Sequence, residues 1–168
     1  AYQFIDEFEG CAIVGLKGKD IDKMRRFGVD TPIFKVGKAH KKLYLVEVNQ
    51  VKDELSELMA LDWDEANGVD QPAGLMNFPI PEKGKYNMKD YFSHFEAEHK
   101  IMEKNAAGEN IGSRWVKKKS TLQNHLFDCR VYNLTLKQIW INILLTSMGY
   151  KIKDISWSAY VELVAGDE

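Results

Sequence analysis

The sequence predicts an α/β or α+β domain, and three observations carry that prediction. Two runs rich in β-branched and aromatic residues, 11–18 and 33–48, read as strands. Stretches 51–60 and 88–103 instead space their apolar residues as helices do, and the long apolar run over 122–148 reads as a further helix. The two kinds of segment alternate, and no internal repeat or Ser/Pro-rich linker divides a chain of 168 residues, which one hydrophobic core can serve.

Tyr2 to Phe8 reads as the end of a helix stopped by Gly10. CAIVGLKG, residues 11–18, is a short buried strand, and residues 19–31 form a charged loop with at most one helical turn. IFKVGKAHKKLYLVEV, residues 33–48, predicts a hairpin around Gly-Lys-Ala-His. Asn49 can cap a helix over 51–60 that aligns Val51, Leu55, Leu58 and Met59. A loop with Gly and Pro follows, in which Leu75 to Phe78 reads as a short strand. Residues 88–103 predict an amphipathic helix with Met88, Tyr91, Phe92, Phe95 and Ile101 on its apolar side. SRWVKKK is a strand or a loop, and a long helix then runs over 122–148 to a C-cap at Gly149. The tail, ISWSAYVELVAGDE, has strand character and an acidic end.

Hydrophobic residues make up 45% of the chain and aromatic ones 11%, which places it among folding sequences rather than disordered ones. No run of 18 apolar residues and no charged-then-apolar leader is present, so neither a membrane span nor a signal peptide is predicted. Cys11 and Cys129 lie in apolar segments without CxxC spacing, which argues for a reducing compartment rather than a disulfide or zinc framework. The start at Ala1, inside an apolar stretch, reads as that of a fragment or processed product.

A net charge of −2 conceals segregation. Lys35, Lys38, Lys41 and Lys42 form one basic cluster, and Arg114, Lys117, Lys118 and Lys119 form a second. Asp53 to Asp70 holds seven acids and no base. Local patches, not the total, decide whether a polyanion docks. Solvated loops are the ordinary reading of such runs, and a nucleic-acid surface is the functional one. Trp115, beside Arg114 and Lys117, is the best-placed ring for stacking or phosphate contact.

One acid is conspicuous. NHLFDCRVYNL, residues 124–134, sets Asp128 within the apolar run that forms the long helix. A carboxylate against a core is costly unless it is paired, capped or bound to metal. It can be a helix-start acid favoured by the dipole by about 0.3–1 kcal/mol, a partner of Arg130 or another base, or a ligand for a hard divalent cation. Cys129, on the same helix, reads as core. His94 and Glu98 share a helix face at i, i+4, with His99 beside them, but the zinc-protease pattern needs a second His at i+4. Tyr91, Phe92 and Phe95 read as core rather than as a stacking platform.

The order of short motifs resembles a family. Lys17-Gly18 follows a strand; Tyr44, Val46, Val48 and Lys52 fit Y-x-V-x-V-x-x-x-K; Gly74, Asn77, Phe78 and Pro79 fit G-x-x-H/N-F-P. Tyr91 to Glu98 forms an aromatic-then-acid segment, Trp115 has basic neighbours, and Asn124, Asp128, Cys129 and Tyr132 fit N-E-x-x-D-C-x-x-Y. Over residues 11–140 this set resembles the nuclease region of the lambda-type phage terminase large subunit.

The resemblance implies a ribonuclease H-like mixed sheet flanked by helices, lacking its first strands here, with residues 1–150 part of the nuclease domain and 151–168 a possible docking tail. It also implies double-stranded DNA as substrate, Mg²⁺ or Mn²⁺ in a two-metal site, and Asp128 as the last metal-binding catalytic acid. His125 stands where the family has Glu, and a neutral imidazole is a poor Mg²⁺ ligand. The family's earlier acidic stretches, Asp-x-Gln and Ile-Asp-Ser-Gly, do not occur, nor does GxxxxGK[ST]. The expectation is an endonuclease whose isolated chain is inactive and which lacks an ATPase site. It would work in the cytoplasm of the infected bacterial host, with portal and small subunit as possible partners. The alternative is a non-catalytic DNA-gripping or portal-docking module, with the tail from Trp157 to Glu168 as its contact.

Overall fold

The computed structural model describes residues 15–19, 34–36, 43–80, 82, 85, 88–151 and 157–165. The chain divides into two compact units, residues 1–51 with 132–168 and residues 52–131. The α/β class holds: strands and helices alternate among the described residues.

The first unit contains a three-stranded sheet of β1 (Gly15–Lys19), β2 (Phe34–Val36) and β3 (Leu43–Glu47). β3 is central, parallel to β1 from Gly15↔Leu43 to Lys19↔Glu47 and antiparallel to β2 from Phe34↔Val46 to Val36↔Tyr44. This antiparallel pair fulfils the expected hairpin. Flanked on both sides, β3 buries Tyr44, Val46 and Glu47. The Glu47 carboxylate accepts the Asn49 N–H at 3.0 Å, so α1 (Val48–Met59) starts directly from the strand. Glu47 thus satisfies a first-turn donor, where Asn49 was the expected cap. Gly18 lets β1 approach closely: a Cβ there would lie 3.2 Å from the Tyr132 hydroxyl and 3.5 Å from the Val48 methyls.

α3 (His125–Ser147) crosses the division of the chain at Val131/Tyr132, as α1 does at Val51/Lys52. α3 ends in a Schellman motif: Tyr150 N–H bonds to the Leu145 carbonyl and Gly149 N–H to that of Thr146, each at 3.0 Å, with Gly149 at φ 91°. The tail forms a helix, α4 (Trp157–Ala165), not the expected strand. Its Ala159, Tyr160 and Leu163 share a helical face and pack on Ile141 and Leu145 of α3. That face, at i, i+1 and i+4, outweighs the β-propensity of the aromatic and branched residues.

The second unit holds the rest of α1, a single 3₁₀ turn (Glu65–Asn67), α2 (Met88–Glu96), the hairpin of β4 (Glu98–Lys104) with β5 (Asn110–Lys117), and the start of α3. The helix expected over 88–103 therefore stops at Glu96. From Glu98 onward cross-strand pairing with β5, from Glu98↔Lys117 to Lys104↔Asn110, overrides the helical pattern. SRWVKKK resolves as strand through Lys117. The hairpin turn is closed by Asn105, whose side-chain oxygen accepts the N–H groups of Ala107 and Glu109 at 3.0 and 2.9 Å.

Leu75 to Phe78 is not a strand; Phe78 instead packs edge-on to Phe92 at 4.9 Å between ring centroids. The chain of rings continues through Tyr91 and Phe95 to Phe127. Burial raises the pKa of the Tyr91 phenol above its usual 10.0, opposed by the charge of Arg130. The helix end at 2–8, the loop beyond Lys19 and the hairpin turn at 37–42 lie outside the described residues.

Leu145 is fully buried under α4. Leu145→Ala is expected to cost about 2–5 kcal/mol, read as a lower urea midpoint. Amide exchange should accelerate most over Trp157–Ala165.

Candidate active site

Asp128 occupies the first turn of α3, which begins at His125 rather than near 122 and so brings the acid closer to the helix start than the sequence predicts. It is not alone there. Lys52, from the second turn of α1, places its Nζ 2.7 Å from Glu98 Oε2 and 3.2 Å from Asp128 Oδ1. Asn124, whose carbonyl accepts the Asp128 N–H in the opening turn of α3, sends its side-chain amide to the other two oxygens. Its Nδ2 donates to Glu98 Oε1 and, at 3.0 Å, to Asp128 Oδ2. An ammonium and an amide thus clamp two carboxylates, and every carboxylate oxygen of the pair has a donor.

Burial sets the stakes. The side chains of Lys52 and Glu98 are 9% and 3% exposed, whereas that of Asp128 is 34% exposed. Glu98 is therefore the desolvated acid and Asp128 the one facing solvent. Phe127, buried one residue before Asp128, floors the cluster: Lys52 Nζ lies 5.1 Å from its ring centroid, a cation–π distance. Phe95 and Trp115 pack on the same ring at 4.9 and 5.7 Å.

The hairpin fixes the position of Glu98. Ala97 is buried, and its carbonyl accepts the Lys118 N–H at 2.9 Å, which extends the pairing one step beyond the strand end. Two residues along β4, on the same face, Lys100 pairs across the strands with Trp115. Asp53, next to Lys52, takes both: Lys100 Nζ at one oxygen and the Trp115 indole N–H at the other, each at 2.8 Å. α1 is pinned to the hairpin by two successive residues.

The structure revises several expectations. Trp115 is half-buried, held by Asp53 and Phe127, which makes it part of the site's support. Arg114 pairs with Glu103 at 2.6 Å. Lys117, Lys118 and Lys119 are exposed and make no ion pair among the described residues. Lys35 lies on β2, while Lys38, Lys41 and Lys42 fall outside the described residues. Cys129 is exposed, not core, because it points away from the face that buries Phe127 and Val131. His94 and Glu98 do not share a helix: Glu98 is on β4, and His94 Nδ1 accepts the Leu126 N–H at the start of α3.

Lys52 and Glu98 both lie in the motif segments noted in the sequence, yet residue-type reasoning gave neither a role. Lys52 enters the sequence reading only as the last position of the Y-x-V-x-V-x-x-x-K motif. Glu98 was hidden by the helix expected across it.

Glu98 and Asp128 are the two carboxylates that share the Lys52 ammonium, and a hard cation held here would use them. Among the described residues no group of three or more His, Cys, Asp or Glu side chains could hold a metal ion. The set suits one Mg²⁺-type ion, which commonly takes one or two protein carboxylates and completes its shell with water and phosphate oxygens. No described helix is long and apolar enough to cross a membrane.

Residues 1–143 match the family model of the terminase large subunit gpA endonuclease domain. The chain belongs to this family. No curated protein and no solved structure matches it. The two clamped carboxylates thus lie inside the matched region of a terminase endonuclease domain.

The buried and exposed ion pairs of the terminase domain should differ in worth. Lys52→Met, which strands a buried carboxylate, is expected to cost about 3–5 kcal/mol. Lys100→Met, which breaks a partly exposed pair, should cost about 1 kcal/mol or less. Urea unfolding of both variants checks the contrast.

Proposed function

We propose that the chain is the catalytic part of a phage packaging nuclease that cuts double-stranded DNA to make genome ends, with Glu98 and Asp128 as its cation-binding acids. The single observation carrying this reading is the convergence of two carboxylates, one buried and one solvent-facing, on a common cation position. Like charges brought together in a dry setting repel. Stability alone does not call for them, since a well-packed apolar group does as well.

Each residue then has a task. Glu98 and Asp128 bind an Mg²⁺ or Mn²⁺ ion. Asn124 orients both of them through the oxygens it already holds. Phe127 lies under the Lys52 ammonium, with Phe95 and Trp115 packed on its ring. When bound, the ion supplies Lewis-acid polarisation of the phosphodiester and acidifies a water ligand. A second ion needs acids beyond those of the described residues. The mixed β1–β3–β2 sheet followed by helices is compatible with a ribonuclease H-like plan.

Phosphate tracking falls to Lys117, Lys118 and Lys119, because Arg114 and Trp115 hold intramolecular partners. The cluster of Lys35, Lys38, Lys41 and Lys42 joins them on sequence grounds. The place of work is the cytoplasm of the infected bacterial host, alongside portal and small subunit. A second reading, a non-catalytic gripping or docking module, is favoured by one fact: Lys52 already satisfies both acids, as in a purely structural ion pair.

Plasmid cleavage by the parent terminase separates the two. Glu98→Gln or Asp128→Asn should abolish cutting, and Asn124→Ala should reduce it by about 10–100-fold, as for outer-shell partners of metal ligands. An Asp128→Asn protein that melts lower but still cuts would leave only the structural reading.

Salt dependence tests the basic cluster. When Lys117, Lys118 and Lys119 become Ala, the slope of log affinity against log salt should flatten by about 0.9 for each phosphate no longer neutralised. An unchanged slope would return these lysines to the solvated surface.

A further inference from the structure

Lys52 stands where a bound cation would stand. Its ammonium touches Glu98 Oε2 and Asp128 Oδ1, while Asn124 holds the remaining oxygen of each acid. We propose that Lys52 is a built-in counter-ion which a divalent cation must displace, so that metal binding and the Lys52 bridge exclude each other. This inference rests on the reading of Glu98 and Asp128 as cation ligands and adds to it a residue that sets when they are available.

Charge and space support it. Lys52, Glu98 and Asp128 sum to −1. A divalent ion added with Lys52 in place would bring the cluster to +1, beside a Glu98 side chain only 3% exposed. Two cations sharing the same carboxylate oxygens would also repel at short range. Replacing the ammonium with the ion instead leaves the ion and the two acids neutral in sum and frees one flexible side chain.

The rest of the cluster need not change in that exchange. The Asn124 clamp uses neither of the oxygens that Lys52 holds, so the acids stay aligned. Asp53 keeps α1 on the hairpin through Lys100 and Trp115, independently of Lys52. Lys52 Nζ already lies 5.1 Å from the Phe127 ring centroid, and Asp128, its second partner, is partly exposed. The bridge therefore keeps the metal-free acids paired and in place, and lowers their apparent metal affinity according to the fraction of time it is formed.

The test uses the purified 168-residue chain with Mn²⁺ as the probe. Lysines are acetylated with a succinimidyl ester and read by mass spectrometry, with exposed Lys117 as internal control. Lys52 should be protected without metal and acetylated about tenfold faster with saturating Mn²⁺, Lys117 being unchanged; a bridge formed more than about nine-tenths of the time sets that factor. By the same factor, Lys52→Met should bind Mn²⁺ at least about tenfold more tightly in a calorimetric titration. The wild-type footprint decides the matter if this variant does not fold. Mn²⁺ binding that is lost in Glu98→Gln and Asp128→Asn, with Lys52 still protected, would overturn the displacement and leave the cation ligands standing. Absence of Mn²⁺ binding, or binding that ignores both substitutions, would overturn the ligand assignment and the displacement with it.

Discussion

The buried ion pair between Lys52 and Glu98 is the constraint around which the second unit of this terminase endonuclease domain is arranged. A carboxylate with 3% of its side chain exposed cannot remain charged there without close donors. Lys52 and Asn124 provide them, one from α1 and the other from the threshold of α3. A strand end and two helix starts must therefore meet at one point. That requirement accounts for details that would otherwise look unrelated: the tight Ala97 turn, the extra Lys118 to Ala97 hydrogen bond, and Asn124 just ahead of α3.

Around that point the support is layered. Asp53 reads the next two positions of the hairpin face, Lys100 and Trp115, and so fixes α1 against rotation. Phe127 carries Lys52 on its ring and packs on Phe95, whose neighbours Tyr91 and Phe92 continue the aromatic layer to Phe78. The apolar run that makes Asp128 look misplaced in the sequence is thus what places it. Phe127 and Val131 anchor the helix start, and Asp128 sits on the edge of that anchored face, a third exposed.

Much of this was legible in the sequence. The alternating classes of segment, the β2–β3 pair, the long helix with its Gly149 stop, and the position of Asp128 near the start of that helix all follow from local pattern and capping chemistry. The partners of Asp128 did not. Glu98 lies only two residues beyond an amphipathic helix, and the helical spacing of Tyr91, Phe92 and Phe95 carries the eye past Glu96 into what becomes β4. Only pairing with β5, a non-local contact, reveals the change. Lys52 is one of many lysines, and its burial depends on acids 46 and 76 positions away. The tail misled for the same reason: Trp157, Tyr160 and Val161 favour strands locally, while packing on Ile141 and Leu145 selects a helix. The basic neighbours of Trp115 are adjacent in sequence and so visible there, whereas its partners Asp53 and Phe127 are distant along the chain and are not.

Family membership makes this chain an endonuclease domain, and we propose in addition that Glu98 and Asp128 act together as one cation site. Anomalous scattering from crystals of the chain grown with Mn²⁺ tests that claim most directly. The expected result is a peak in contact with both carboxylates, with the Lys52 ammonium moved off Glu98 and Asp128. A peak elsewhere, or Lys52 still bridging the two acids at saturating Mn²⁺ with no peak beside them, would contradict it.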